Sequence, residues 1–122
     1  MHLAVAVLVA VSSLIGAPDC VGFSPPVDGP IVRGFAPVGD YAGHWGIDFG
    51  VAAGTEVQAA GAGTVTFAGS VAGMLTVTLD HGGSLKTSYS YLSDATVATG
   101  WRVVAGQVVG HSGFHHGEAA LH

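Results

Sequence analysis

Glycine occupies 20 of the 122 positions, scattered through a chain that is 49% hydrophobic and only 9% charged. The usual glycine share is about 7%. Residues that break helices at this density, in so apolar a background, exclude a coiled coil, which needs many charged helix formers, and exclude a charged disordered tail. Short strands joined by tight turns remain. The length suits one domain with a single core and no need for covalent staples.

The strands can be read directly. Gly63–Phe67 (GTVTF) and Leu75–Leu79 (LTVTL) alternate apolar and polar residues, which puts Leu75, Val77 and Leu79 on one face. Asp80-His81-Gly82-Gly83 reads as a turn and Leu85–Tyr91 (LKTSYSY) as the returning strand, so residues 74–91 are expected to form a hairpin. Val103-Val104 and Val108-Val109 bracket Ala105-Gly106 as a second expected hairpin. No stretch of ten residues carries a helical period. The expected class is all-β, with an antiparallel sheet core arranged as an open barrel or sandwich.

Charge narrows the partners. Three cations, Arg33, Lys86 and Arg102, stand against eight carboxylates, a formal net charge of −5. No basic patch can be assembled from them, which argues against nucleic acid and against an anionic membrane surface as partners. Seven histidines outnumber the cations. Metal or proton chemistry in this chain has to come from imidazole.

The N-terminus reads as an address. Leu3–Ala17 (LAVAVLVAVSSLIGA) is an uncharged apolar run ended by Pro18. It is short for a bilayer span and suits the apolar segment of a secretory signal, although no Lys or Arg precedes it. A membrane anchor and a buried strand are the other readings. Residues 1–17 are therefore expected to be a signal peptide, residues 18–30 a Pro- and Gly-rich linker, and residues 31–122 the domain. Cys20 is the only cysteine, which rules out an internal disulfide.

His44-Trp45-Gly46-Ile47-Asp48 sets an imidazole and a carboxylate four residues apart. In an extended segment positions i and i+4 share a face, so both groups could reach one cation. Nitrogen with carboxylate suits zinc, whose catalytic sites take three protein ligands. The third must come from elsewhere in the chain, and the pair by itself is equally compatible with an ordinary hydrogen bond in a loop.

Four segments taken together carry more information. They are Gly43–Gly69 (GHWGIDFGVAAGTEVQAAGAGTVTFAG), Leu79–Ser93 (LDHGGSLKTSYSYLS), Val97–Gly113 (VATGWRVVAGQVVGHSG) and Ala120-Leu121-His122. In order and spacing they resemble the lysostaphin/LytM-type peptidoglycan zinc metalloendopeptidases, over residues 31–122. The resemblance implies a β-sheet core of the duplicated hybrid motif type, and zinc held by His44, Asp48 and His122. It also implies action on the cross-link peptides of bacterial peptidoglycan, with the mature protein secreted or cell-wall associated and free of the membrane.

Two departures from the family pattern bear on catalysis. The family's Tyr-x-His-Leu reads here Tyr89-Ser90-Tyr91-Leu92, so Tyr91 stands in the place of a non-ligand histidine. The first histidine of its His-x-His is here Ala120. Tyr91 could still donate a phenolic hydrogen bond to an oxyanion. Glu118 could approach the site as a base if Glu118–His122 is a strand, and a loop near the cleft could use one of His111, His115 and His116, whose default reading is as solvated loop residues. His81 reads as a turn residue bonded locally, and Trp45, Tyr89 and Trp101 as core or cleft-wall aromatics. The resemblance further implies a strand beyond His122, so the segment reads as a fragment or as a domain short of its last strand. A degenerate domain that binds cell wall, or that regulates a partner hydrolase, is the alternative to an enzyme. A biotinyl- or lipoyl-type carrier is excluded because the only lysine, Lys86, falls inside an expected strand.

Overall fold

The computed structural model describes residues 22–122. The expected signal segment and Cys20 lie outside the described residues. In chain order the strands are β1 (Ile31–Arg33), β2 (Ala36–Val38), β3 (Ala42–His44), β4 (Asp48–Phe49), β5 (Glu56–Gln58) and β6 (Gly63–Val71). They continue with β7 (Met74–Asp80), β8 (Lys86–Tyr89), β9 (Leu92–Ala95), β10 (Arg102–Val103), β11 (Val108–His115) and β12 (Glu118–Ala120). All regular structure among the described residues is β, and every strand pair is antiparallel. The expected fold class holds.

One four-stranded sheet runs β10-β6-β7-β8. Its central hairpin turns at Ala72-Gly73, both at positive φ (51° and 81°), the backbone required by a tight two-residue turn that follows the sheet's twist. The expected hairpin over residues 74–91 is the β7–β8 pair, in register from Val77↔Tyr89 to Asp80↔Lys86. In the second sheet β11 is the hub, bonded to β5, β9 and β12. The inner faces meet in a core where Val57, Val65, Val77, Leu79, Val109 and Leu121 are sealed from solvent. Burying each such side chain contributes about 1.5–3 kcal/mol.

Three expectations need correction. The apolar pairs at 103–104 and 108–109 do not form a hairpin: β10 joins β6, while β11 joins β5, β9 and β12. The turn closed by Gln107 N–H on the Val104 carbonyl (3.1 Å) instead carries the chain from one sheet to the other. Each pair is too short to be its own partner once longer strands compete for it. Trp101, expected in the core or a cleft wall, is half exposed, which removes the first of those two places. Residues 22–30, read as linker, are irregular but lie along the domain. Ser24 N–H donates to Ala60, Gln58 N–H to Pro26 and Gly50 N–H to Pro30, and Val27 enters the core.

The N-terminal strands form two small pairs, β1 with β4 and β2 with β3. They reach the body of the domain through the backbone exchange between Phe49 and Leu121 (2.8 and 3.0 Å). His122 follows immediately, and Ser90 N–H donates to its backbone oxygen at 2.7 Å.

Candidate metal centre

His44 closes β3 and Asp48 opens β4. The expected single extended segment is broken between them, because β3 pairs with β2 whereas β4 pairs with β1. The Trp45 indole N–H turns back to the Ala42 carbonyl (2.8 Å). Gly46 sits beneath the His122 ring, so close that a Cβ there would lie 2.7 Å from Cε1 and 2.8 Å from Nε2. Glycine at 46 is what lets the third ring into the site.

Three atoms converge. His44 Nε2 is 3.1 Å from Asp48 Oδ1 and 3.1 Å from His122 Nδ1, and His122 Nδ1 is 2.7 Å from Asp48 Oδ1. His44 and Asp48 are buried, while His122 is half-buried. The other nitrogen of His44, Nδ1, lies 2.7 Å from the Gly34 carbonyl. A carbonyl can only accept, so Nδ1 carries a proton and Nε2 is the nitrogen left to offer a lone pair to a cation. The site therefore gathers His44 Nε2, His122 Nδ1 and Asp48 Oδ1, with a proton shared between His122 and Asp48 across their 2.7 Å. A divalent cation replaces that proton, as metal binding generally does. Tetrahedral zinc with bonds of about 2.0–2.1 Å spaces its ligand atoms roughly 3.3 Å apart, close to the two edges of 3.1 Å and wider than the 2.7 Å edge between His122 and Asp48. The residues present fit zinc.

Burial by itself pushes the Asp48 carboxyl up, but hydrogen bonds and charge from His122 and His44 outweigh it and hold it below its usual range. Its second oxygen is also engaged: His115 Nδ1 lies 3.1 Å from Oδ2. His115, expected in a solvated loop, is the last residue of β11 and is buried. Its ring stacks on Tyr91 with centroids 3.9 Å apart and planes at 24°. Tyr91 meets the His122 ring edge-on at 5.9 Å and holds φ at 62°, a left-handed backbone unusual for a residue with a side chain. Its carbonyl would be 2.7 Å from a Cβ at Gly113, so that glycine permits the close approach of the two segments.

The remaining candidates separate. Glu118 is exposed at the rim of a recess of about 290 Å³ shared with Asp48, His115 and Ala120. His111 pairs with Asp94 (2.7 Å) away from the three converging atoms. His81 spends both nitrogens locally, on the Ala62 carbonyl and on Thr87 Oγ1, which in turn contacts the Tyr89 hydroxyl. Tyr89 is core, and Trp45 walls an apolar groove of about 540 Å³ that runs from His122 along β8. No local motif marks His115. Only the register of β11 against β12, which places Gly113 opposite Ala120, brings it in.

The pattern of Peptidase family M23 matches residues 42–122. Uncharacterised proteins of Mycobacterium tuberculosis and Mycobacterium bovis are 46% identical over 68 residues, which is 56% of this chain and 27% of theirs. The chain thus spans about a quarter of those curated relatives. Among solved structures, a Pseudomonas aeruginosa protein assigned to peptidase M23 superposes with a TM-score of 0.71 at 33% identity, covering 87% of this chain and 45% of that one. A zinc-containing peptidase from Vibrio cholerae gives 0.67 at 26%, over 83% and 35%. The catalytic domain of the antimicrobial peptidase lysostaphin from Staphylococcus simulans gives 0.62 at 28%, over 84% and 74%.

Proposed function

The chain belongs to peptidase family M23, and from that premise we propose that it is an exported zinc endopeptidase acting on the cross-link peptides of bacterial peptidoglycan. His44, Asp48 and His122 are the ligands in this reading. The observation that carries it is the triangle of ligand atoms with edges of 2.7–3.1 Å, in which the Gly34 carbonyl has already fixed the His44 tautomer. The zinc-containing and lysostaphin-like neighbours support the metal and the wall substrate. The Leu3–Ala17 run supports export.

Zinc bound by such a set supplies Lewis acidity toward a scissile carbonyl. The chain's own residues do the rest. Asp48 brings the single negative charge of the set, and the two imidazoles stay neutral. The groove walled by Trp45 leads to His122, so a peptide lying in it is brought beside the ligand set. Tyr91, packed against His122, is the donor available to negative charge developing on the substrate carbonyl oxygen.

Ala120 supports a second reading, a domain that holds wall peptide or a partner hydrolase without cutting. A methyl group can neither carry nor relay a proton, and a positioned acid–base group typically contributes about 10²–10⁴-fold in rate. Incubation of the full chain with cross-linked muropeptides, alongside metal quantification, separates the readings. We expect one zinc per chain and new amino termini that disappear on chelation and in His122→Ala. Stoichiometric zinc with no cleavage establishes the second reading, and absence of zinc overturns the metal centre itself.

A further inference from the structure

We propose that His115 is a positioning residue of the metal centre, holding Asp48 Oδ2 so that Oδ1 alone is offered to the ion. This rests on the reading of His44, Asp48 and His122 as the ligand set. The two carboxylate oxygens of Asp48 have different neighbours. Oδ1 faces His44 Nε2 and His122 Nδ1, whereas Oδ2 faces only His115 Nδ1 at 3.1 Å. A carboxylate accepts, so His115 Nδ1 donates. Asp48 is 4% and His115 9% exposed, so water is a poor substitute for that donor.

Three further features make the contact a built one. Stacking on Tyr91 at 3.9 Å fixes the plane of the His115 ring, and Tyr91 is itself held at positive φ. Strained backbone of this kind persists where the surroundings over-determine it and concentrates at working sites. Ala120 and Gly113 face each other across β12 and β11, and His115 lies two residues beyond Gly113 on the same strand. Ala120 lines the recess that His115 enters. The small side chain at 120 thus leaves room for an imidazole delivered from the neighbouring strand, and that imidazole reaches the outer oxygen of the aspartate. Ligating carboxylates are commonly steered by such a partner, and its loss typically costs 10–100-fold in metal affinity.

Two substitutions divide the ring from the donor. His115→Phe keeps an aromatic surface against Tyr91 and loses the N–H, while His115→Asn keeps an N–H near the place of Nδ1 and loses the ring. Zinc dissociation constants are measured by competition with a chromophoric chelator on the full chain, with circular dichroism confirming the fold. We expect His115→Phe to bind zinc about 10–100-fold more weakly and His115→Asn to stay within about threefold of wild type. The cobalt-substituted His115→Phe protein should show a visible spectrum altered from wild type as Asp48 adopts another binding mode, and His115→Asn should restore it. Zinc affinity unchanged in His115→Phe, or equally lost in both variants, overturns the proposal. Failure of the wild type to bind zinc overturns the ligand set and the proposal together. Tight zinc binding without peptide cleavage counts against the peptidase alone, because the affinity ratios are read without turnover.

Discussion

The body of the domain and its N-terminal strands treat apolar side chains in opposite ways. In the body, β5 to β12, Val57, Val65, Val77, Leu79, Val109 and Leu121 are sealed in one core. In the arm made by β1 to β4, Ile31, Val32 and Val38 are more than half exposed. Yet the arm supplies His44 and Asp48, which are as buried as core residues. The difference teaches that the arm is not fixed by packing of its own. It is fixed by polar convergence on His122 and by the backbone exchange of Phe49 with Leu121. A metal in that triangle would fasten a lightly packed segment to a well-packed one.

The sharpest contrast is in stability. Leu79→Ala, in the sealed core, should cost about 2–5 kcal/mol in urea unfolding, whereas Val38→Ala, 64% exposed, should stay within about 0.5 kcal/mol. Equal losses would show that the arm has a core of its own. Next in size is His122→Ala. It should weaken zinc by more than the roughly 100-fold that marks loss of a mere supporting partner, and hydrogen exchange at β3 and β4 should no longer slow when zinc is added. Slowing that persists would mean the arm is fastened by something other than the shared ion.

Gly46→Ala comes third. The added methyl meets only the His122 ring and not backbone, so the metal-free protein should melt nearly as wild type while zinc affinity falls on the order of tenfold, or 1.4 kcal/mol. The smallest effect is in acid. Asp48 titrates below its usual range in the folded chain, so its contribution is complete above the unfolded value of about 3.9 and is lost as pH falls through the folded value. The stability gap between metal-free wild type and Asp48→Asn should therefore be constant near neutrality and close below about pH 4. A gap still open there would place the contribution of Asp48 in packing.

Much of this was legible before any coordinates. Alternation in Gly63–Phe67 and Leu75–Leu79 announces β6 and β7, because half-buried strands leave a period of two wherever one face meets the core. The proposed ligands were named from a motif pattern, and the fold draws those three together. What was illegible is what depends on register. The 103–109 segment looked like a hairpin because adjacent valines say nothing about which strand each will find. Trp101 reads as core or cleft wall because indole is mostly apolar, and only its neighbours decide that it stays half exposed. His115 looked like loop because its worth depends on Gly113 lying opposite Ala120, a pairing between strands that no local window contains.

The hydrogen bond from His44 Nδ1 to the Gly34 carbonyl carries a consequence for how this centre varies and how it can be probed. The group that selects the metal-facing nitrogen is main chain, at a residue with no side chain to remove. Alanine scanning is blind to it, and so is any catalogue of substitutions that compares side chains only. The heritable quantity is the path between β1 and β2. One residue inserted or deleted there should move the carbonyl off the ring and free the proton to sit on Nε2, closing that nitrogen to a cation while His44, Asp48 and His122 all stay in the sequence.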